Sequence, residues 1–160
     1  MGTITKIMVA VDYSDYSRAT LNYAAFWASS LNATLVVANV INQRDVEAIS
    51  KVESVGISKE KFISDQKLDR TAKTEDLLKE TGCQALKMVQ VFRVGIPWME
   101  LLEIIKDQGV DLVVMGTKGR TNIANTLFGS TAEKVFRRCP VPILSVRGKE
   151  HETIACSRTF

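Results

Sequence analysis

The chain alternates short apolar runs, rich in β-branched residues, with longer segments of helical periodicity, and this alternation limits the possible folds more than any other feature. The runs with the length and composition of strands are residues 4–11, 34–40, 85–94, 111–115 and 143–146. Strands that alternate with helices form parallel sheets through right-handed crossovers. We therefore predict an α/β fold: an open, doubly wound, five-stranded parallel sheet with strand order 3-2-1-4-5 and helices on both faces.

Between the first and third runs, the sequence predicts a helix, a loop and a second helix. Ser14 or Ser17 can cap the first helix, and Asn32 can end it. Residues 42–56 have mixed polarity and predict a variable loop, whereas residues 58–81 are rich in Lys, Glu, Asp and Leu and predict a helix. This is the least regular part of the sequence.

The second half of the chain predicts two more helices. Pro97 suits the first position of a helix that Gly109 ends, and a last helix follows the loop at residues 116–129. The tail, residues 148–160, is polar and aperiodic, so we expect disorder there. Residues 1–147 are therefore expected to form one domain.

Composition argues against several classes of protein. The apolar runs are far shorter than the roughly 20 residues of a membrane-spanning helix, and the N-terminus lacks a signal-peptide pattern. The formal net charge is only +3, which does not indicate a nucleic-acid-binding protein. The single histidine, His151, excludes a multi-histidine metal cluster, and three widely spaced cysteines indicate reduced thiols. We expect a cytoplasmic protein that binds neither membranes nor nucleic acid.

The loop after the fourth strand has the features of an anion site. Its glycines and hydroxyl residues are Gly116, Gly119, Gly129, Ser130 and Thr131, the last two at a helix start. Glycines let backbone amides approach a ligand closely, and amides at a helix N-terminus favour a phosphate. Lys118 and Arg120 can bring positive charge to the same loop. The segment is neither a Walker P-loop nor a dinucleotide fingerprint.

From the residues alone, more than one interpretation stays open. Ser130 with Glu133 fits a Ser-x-x-Glu capping box, and a glycine after a strand is common turn chemistry. Asp12, just beyond the first strand, can bond ribose hydroxyls or cap the first helix. Lys118 is either solvated or a ligand, and Val40 by itself indicates only a core residue.

Several motifs together resemble the universal stress protein family. The spacing Gly-x2-Gly-x9-Gly-Ser/Thr after Val-Met-Gly is similar to the family's ATP-binding motif and is complete here. Further similar stretches are Ile-x-Val-Ala-Val-Asp at residues 7–12, Val-Gly-Ile-Pro at 94–97, Asp-Leu-Val-Val-Met-Gly at 111–116 and Cys-Pro-Val-Pro-Ile-Leu at 139–144. The resemblance covers residues 5–147, although residues 42–81 match only in general character.

This resemblance implies an ATP site, with Mg²⁺ or Mn²⁺ on the phosphates. The residues implied to hold adenosine are Ala10, Val11, Asp12 and Val40, with Asp12 at the ribose. Those implied for the phosphates are Gly116, Gly119, Arg120, Gly129, Ser130 and Thr131, and Met115 belongs to the same binding set. The resemblance also implies a homodimer through the fifth strand at the sheet edge, where Pro142 limits the pairing.

The predicted function is regulatory binding of ATP. No evident general base or activated nucleophile lies beside the predicted phosphate site, which favours a binding protein over an enzyme. ATP would order the loop at residues 116–129 and change a surface that an unidentified protein partner reads. The alternatives are a slow ATP hydrolase or nucleotide-transferring enzyme on the same fold, and a nucleotide-free interaction module with a purely structural glycine loop.

Overall fold

The computed structural model describes residues 3–51, 56, 58–82, 86–119 and 128–147. In these residues the strands are β1 (Lys6–Ala10), β2 (Thr34–Asn42), β3 (Met88–Gly95), β4 (Leu112–Gly116) and β5 (Ile143–Val146). The helices are α1 (Ser17–Ser30), α2 (Gln43–Lys51), α3 (Lys59–Thr81), α4 (Pro97–Gln108) and α5 (Ser130–Arg138).

The strands form one parallel sheet in the order β3-β2-β1-β4-β5, which confirms the predicted strand order. Ala10 at the end of β1 pairs with Ala38 of β2 on one side and with Met115 of β4 on the other. The winding reverses between β1 and β4. In open α/β sheets the crevice for a ligand forms at this point, outside the carboxyl ends of the strands.

Helices cover both faces of the sheet and enclose an apolar cluster on each. On one face α1 packs Leu21, Ala24, Ala25 and Ala28 against the sheet, and α3 adds Leu78. On the other face the buried helix residues are Leu101, Ile104 and Ile105 of α4 and Ala132 and Val135 of α5. Neighbouring residues of β1 point to opposite clusters, so this strand is buried on both sides, as its unbroken apolar sequence predicted.

The prediction of a loop over residues 42–56 is wrong for its first part, where the chain forms α2 (Gln43–Lys51) and β2 extends through Asn42. The Asn42 side-chain oxygen accepts a hydrogen bond from the amide of Arg44 at 3.0 Å, as a helix-capping residue does. Val46, 7% exposed, is the buried apolar contact of the helix. The helix is short and mostly exposed, so its sequence is hard to distinguish from that of a polar loop.

The predicted helix at residues 58–81 is confirmed as α3. The Ser58 side chain accepts a hydrogen bond from the Lys61 amide at 3.2 Å, and Gly82 ends the helix in the left-handed conformation. The predicted start of α4 at Pro97 and its end at Gly109 are confirmed as well.

The predicted caps of α1 are wrong, because Tyr16 occupies the capping position without a side-chain hydrogen bond. Ser14 and Ser17 instead bind Asp12, as the next subsection describes.

In the part of the chain that is described, no helix combines the length and apolar character needed to cross a bilayer. Cys139 has a free thiol. The predictions for Cys83, Ala85, His151, Cys156 and the tail at residues 148–160 lie outside the described residues. The assignment of residues 1–147 to a single domain stays a prediction.

Candidate functional site

A cavity of about 510 Å³ lies where β1, β2 and β4 end. The predicted binding residues that line it are Ala10, Val11, Asp12, Val40, Met115, Gly116, Gly119, Gly129, Ser130 and Thr131. Arg120 lies outside the described residues. The fold therefore brings together every predicted binding residue that the structure describes, although these residues come from separate parts of the chain.

Backbone hydrogen bonds hold both ends of the glycine loop. The Thr117 amide donates to the carbonyl of Val146 in β5 at 3.0 Å, and the Thr117 carbonyl accepts from the Gly129 amide at 2.8 Å. Thr117 is 4% exposed and lies outside the cavity lining, consistent with a role in stabilising the turn. The loop thus leaves and rejoins the body of the protein at one fixed point beside the cavity.

Two glycines of this loop sit where a side chain has no room. A methyl group on Gly119 would overlap Oδ2 of Asp12, and one on Gly116 would lie 3.1 Å from the Lys118 carbonyl oxygen. The methyl group on Gly116 would also lie 3.3 Å from Oγ1 of Thr20 in α1. Glycine therefore allows the segment after β4 to come close to the segment after β1, and both segments line the cavity.

Helix α5 begins at the cavity, and its capping residue has no side chain to bind the first amides. Gly129 occupies the capping position and Ser130 is the first helical residue, so the capping-box interpretation of Ser130 with Glu133 is wrong. Glu133 instead pairs with Arg137 at 2.9 Å. Ser130 and Thr131 line the cavity beside the first amides of the helix. Uncapped amides at a helix N-terminus attract anions, and the two hydroxyls add further donors.

Asp12 is held at the end of β1 by two serines. Its Oδ1 accepts hydrogen bonds from the Ser14 amide at 3.0 Å, the Ser14 hydroxyl at 2.6 Å and the Ser17 hydroxyl at 3.1 Å. Oδ2 faces Gly119. Because Tyr16 is the capping residue of α1, the interpretation of Asp12 as the helix cap is wrong. The carboxylate is instead fixed in orientation at the cavity wall.

A buried arginine that the sequence analysis missed also lines the cavity. Arg70 of α3 is 7% exposed, and its Nη1 donates to Oδ1 of Asn39 and to the Val40 carbonyl, the latter at 3.3 Å. Asn39, 2% exposed, donates in turn from Nδ2 to the Val11 carbonyl at 2.7 Å. One guanidinium thus connects α3 to the ends of both β1 and β2.

Tyr13 anchors the segment after β1 to the same turn of α3. Its hydroxyl lies 3.0 Å from the Arg70 carbonyl oxygen and 2.8 Å from Oγ1 of Thr74. Burial raises the pKa of the phenol, which outweighs the lowering by the Thr74 hydrogen bond, so Tyr13 stays protonated at neutral pH. Its backbone has φ 59°, a left-handed conformation that non-glycine residues adopt at a cost.

The remaining lining residues extend the walls around these groups. They are Tyr16, Ser17 and Thr20 of the α1 region, Ala38 and Asn42 of β2, Arg44 and Asp45 of α2, Pro97 and Leu101 of α4, Lys118, and Ala132 of α5. Two sequence signals could have indicated the missed network. Asn39 is a polar residue inside an apolar strand, and Arg70 and Thr74 are four residues apart on the buried side of α3.

Known proteins resemble this chain along most of its length. Residues 3–147 match the model of the universal stress protein family. Universal stress protein MJ0577 of Methanocaldococcus jannaschii is 29% identical over 154 residues, which cover 90% of this chain and 95% of that protein. The solved structure of MJ0577 has a TM-score of 0.75 at 24% identity and covers 92% of this chain and 98% of the other.

A universal stress protein solved in complex with cAMP is also similar. It is 25% identical with a TM-score of 0.61, and the match covers 91% of this chain and 98% of that one. The family model spans the sheet, the glycine loop and both ends of the cavity. The chain belongs to the universal stress protein family.

Proposed function

We propose that this protein binds an adenine nucleotide, specifically ATP, in the cavity at the ends of β1, β2 and β4, and that it acts as a regulatory binding protein. The observation that carries the proposal is the pairing of two unlike surfaces in one cavity. A glycine loop and an uncapped helix N-terminus form one end, and the ends of β1 and β2 form the other.

The end formed by α5 suits the phosphates. The first amides of α5 meet the cavity at Ser130 and Thr131, and the close approach at Gly119 leaves no side chain between the loop and the ligand. Lys118, half-buried on the cavity wall, adds a positive charge. Arg120 is proposed for the same role on the basis of the family motif.

The end formed by β1 and β2 suits the nucleoside. Asp12 presents a carboxylate with a fixed orientation, which can accept hydrogen bonds from ribose hydroxyls. Ala38, Val40, Pro97 and Leu101 supply apolar surface for a flat base. The cavity volume lies within the usual range for sites that enclose a small molecule.

Mg²⁺ or Mn²⁺ is proposed to bind with the phosphates of ATP. Among the described residues, no group of three His, Cys, Asp or Glu side chains could hold a metal ion. The triphosphate would therefore supply most of the ligands, with Ser130 and Thr131 contributing hydroxyl groups, as suits a hard cation that prefers oxygen.

ATP is proposed to order the loop at residues 116–129 and thereby change a surface that a protein partner recognises. We also propose a homodimer through β5, which is an edge strand of the sheet and so offers unpaired backbone groups. A cytoplasmic location completes the proposal. The cAMP complex of a related protein supports the choice of an adenine nucleotide.

Calorimetric titration with ATP and Mg²⁺ tests the proposal. We expect micromolar affinity for the wild type, equivalent to about 8 kcal/mol. Ser130→Ala removes a hydroxyl at the phosphate end without removing a helix cap, so affinity falls about 10-fold while the melting temperature stays unchanged. The matched control is Ser30→Ala, which removes a hydroxyl at the last residue of α1, outside the cavity lining. This variant should leave the ATP affinity unchanged.

The absence of binding heat for the wild type would contradict the proposal and favour a structural role for the glycine loop. An equal loss in Ser30→Ala would contradict the location of the site. Phosphate release measured on the same samples separates regulatory binding from hydrolysis. If the wild type hydrolyses ATP over multiple turnovers and Ser130→Ala does not, the protein is an ATPase and the regulatory proposal is wrong.

A further inference from the structure

We propose that Arg70 is a positioning residue of the nucleotide site, which holds the base-binding wall in place from α3 and thereby sets the preference for adenine. The inference rests on the proposed nucleotide function. Arg70 lies near the middle of α3. The side chain is 7% exposed and forms part of the cavity wall.

The guanidinium fixes two strand ends at once. Nη1 donates to the Asn39 side-chain oxygen and to the Val40 carbonyl at 3.3 Å. Asn39 links this hydrogen-bond network to the end of β1, because its Nδ2 donates to the Val11 carbonyl at 2.7 Å. Val11, just after β1, and Val40 of β2 are two of the predicted adenosine-binding residues, so their spacing depends on this pair of side chains.

Helix α3 presents the guanidinium in a fixed orientation. Nε and Nη2 of Arg70 both donate to Oε1 of Gln66, one turn earlier on the helix, at 3.3 Å. The Tyr13 hydroxyl contacts the same stretch of α3, at the Arg70 carbonyl and at Thr74. Helix α3 therefore also anchors the segment that carries Asp12.

Only arginine can make this set of contacts. Its planar fork carries five donors in a fixed geometry, whereas a lysine ammonium is a point charge at the end of a flexible stem. Lysine at this position can reach Asn39 or Val40, but it cannot remain bound to Gln66 at the same time. The base-binding wall would lose part of its fixed geometry while the charge in the cavity wall remained.

These contacts separate the role of Arg70 from that of the phosphate end. Arg70 hydrogen-bonds to β2 and to its own helix, and Asn39 extends the network to the end of β1, whereas Ser130 lies at the start of α5. A change at Arg70 should therefore alter the discrimination between bases, and a change at Ser130 should weaken all nucleoside triphosphates alike. A general loss of stability would not change the ratio of two affinities.

The experiment is calorimetric titration of the full chain with ATP and with GTP, each with Mg²⁺. The variants are Arg70→Met, Arg70→Lys and Ser130→Ala. The matched control is Arg18→Met, since Arg18 of α1 also contacts α3, but through an exposed ion pair with Glu80 at 3.7 Å. Circular dichroism identifies the variants that fold, and Arg70→Lys decides the test if Arg70→Met does not fold.

We expect the wild type to prefer ATP over GTP. In Arg70→Met the ATP affinity falls about 10- to 100-fold, the usual cost of losing hydrogen bonds from a charged group, and the ATP-to-GTP ratio falls at least fivefold. Arg70→Lys shows the same changes to a smaller extent. Arg18→Met leaves both affinities unchanged, and Ser130→Ala lowers both by the same factor.

A wild type that binds ATP and GTP equally would overturn the inference, and so would an unchanged ratio in Arg70→Met or, if that variant does not fold, in Arg70→Lys. Both results would leave the nucleotide site intact. If the wild type binds neither ATP nor GTP, the result would contradict the proposed nucleotide binding itself, on which the inference rests.

Discussion

The two ends of the cavity are built in different ways. The end proposed for phosphates is local in sequence and made mainly of backbone: Gly116 at the end of β4, Gly119 just beyond it, and the first amides of α5. The end proposed for the nucleoside is made of side chains from distant segments, with Arg70 and Asn39 linking α3 to β1 and β2. The first end depends on small residues and close approach, and the second on buried hydrogen bonds. Substitutions at the phosphate end should therefore affect mainly binding, whereas substitutions at the nucleoside end should affect stability as well as binding.

The largest expected effect comes from adding a methyl group at the phosphate end. In Gly119→Ala the new methyl overlaps Oδ2 of Asp12, so the loop or the carboxylate must move. We expect ATP affinity to fall about 100-fold, equivalent to about 2.7 kcal/mol, in a calorimetric titration. Gly82→Ala is the control, because it strains the end of α3 without touching the cavity. Equal affinities for wild type and Gly119→Ala would show that the close approach is not needed.

At the nucleoside end, Asn39→Ala should mainly lower stability. The substitution leaves the Val11 carbonyl without its side-chain donor and deprives Arg70 of an acceptor in a buried site. We expect the free energy of unfolding to fall by about 2 kcal/mol in urea denaturation. Asn42→Ala, which removes an exposed hydrogen bond at the start of α2, should cost about 1 kcal/mol. Equal losses of stability in the two variants would show that the buried hydrogen bonds of Asn39 contribute no more than an exposed helix cap.

The amino-terminal ends of β1 and β4, opposite the cavity, offer a pH test unrelated to nucleotide binding. Asp111 accepts hydrogen bonds from the Thr5 amide, the Thr5 hydroxyl and the Lys6 amide at 2.8–2.9 Å, and the two backbone hydrogen bonds are the main cause of its lowered pKa. Because the pKa is lower in the folded state, the carboxylate stabilises the fold fully above the ordinary aspartate pKa of about 3.9. This contribution disappears as the pH falls through the lowered value.

The comparison of wild type with Asp111→Asn measures this contribution. At neutral pH the wild type should be more stable by about 1 kcal/mol, since the carboxylate accepts several hydrogen bonds near the surface. The difference should shrink as the pH is lowered below about 4. ATP affinity at neutral pH should be the same for both proteins. A stability difference that grows as the pH falls would contradict a lowered pKa of Asp111 in the folded state.

The smallest expected effect is that of Tyr13→Phe. This variant keeps the ring and removes the hydroxyl that lies against the Arg70 carbonyl and Thr74. We expect a loss of about 0.5–1 kcal/mol in the free energy of unfolding and a decrease of less than threefold in ATP affinity. Tyr23→Phe is a suitable control on α1. A large loss of affinity would mean that Tyr13 contributes to binding directly.

The fold was largely predictable because its signals are local. Buried parallel strands are unbroken apolar runs, and Pro97 and Gly109 delimit α4 as expected from their backbone preferences. Helix α2 escaped prediction because it buries little apolar surface, with Val46 its buried hydrophobic residue. The exact cap of α5 was ambiguous in sequence, since Gly129 and Ser130 both suit that position.

The parts of the site that are close together in the sequence were predictable, and the side-chain network that joins distant segments was not. Spacing along the chain identified the glycine loop, and the sheet topology indicated that the end of β1 would face it. The Arg70 and Asn39 pair joins residues 31 positions apart, and a charged residue on a charged helix looks like solvated surface. Its burial follows from how α3 packs on the sheet, of which the sequence holds only indirect signals: Asn39 within an apolar strand, and Thr74 four residues from Arg70.

One nucleotide is proposed to span both ends of the cavity. The sharpest test is a crystal structure of the protein grown with ATP and Mg²⁺. We expect density for the triphosphate at Gly119, Ser130 and Thr131, for the ribose at Asp12 and for the adenine beside Val40. A nucleotide bound elsewhere, or in the reverse orientation with its base at the start of α5, would contradict it.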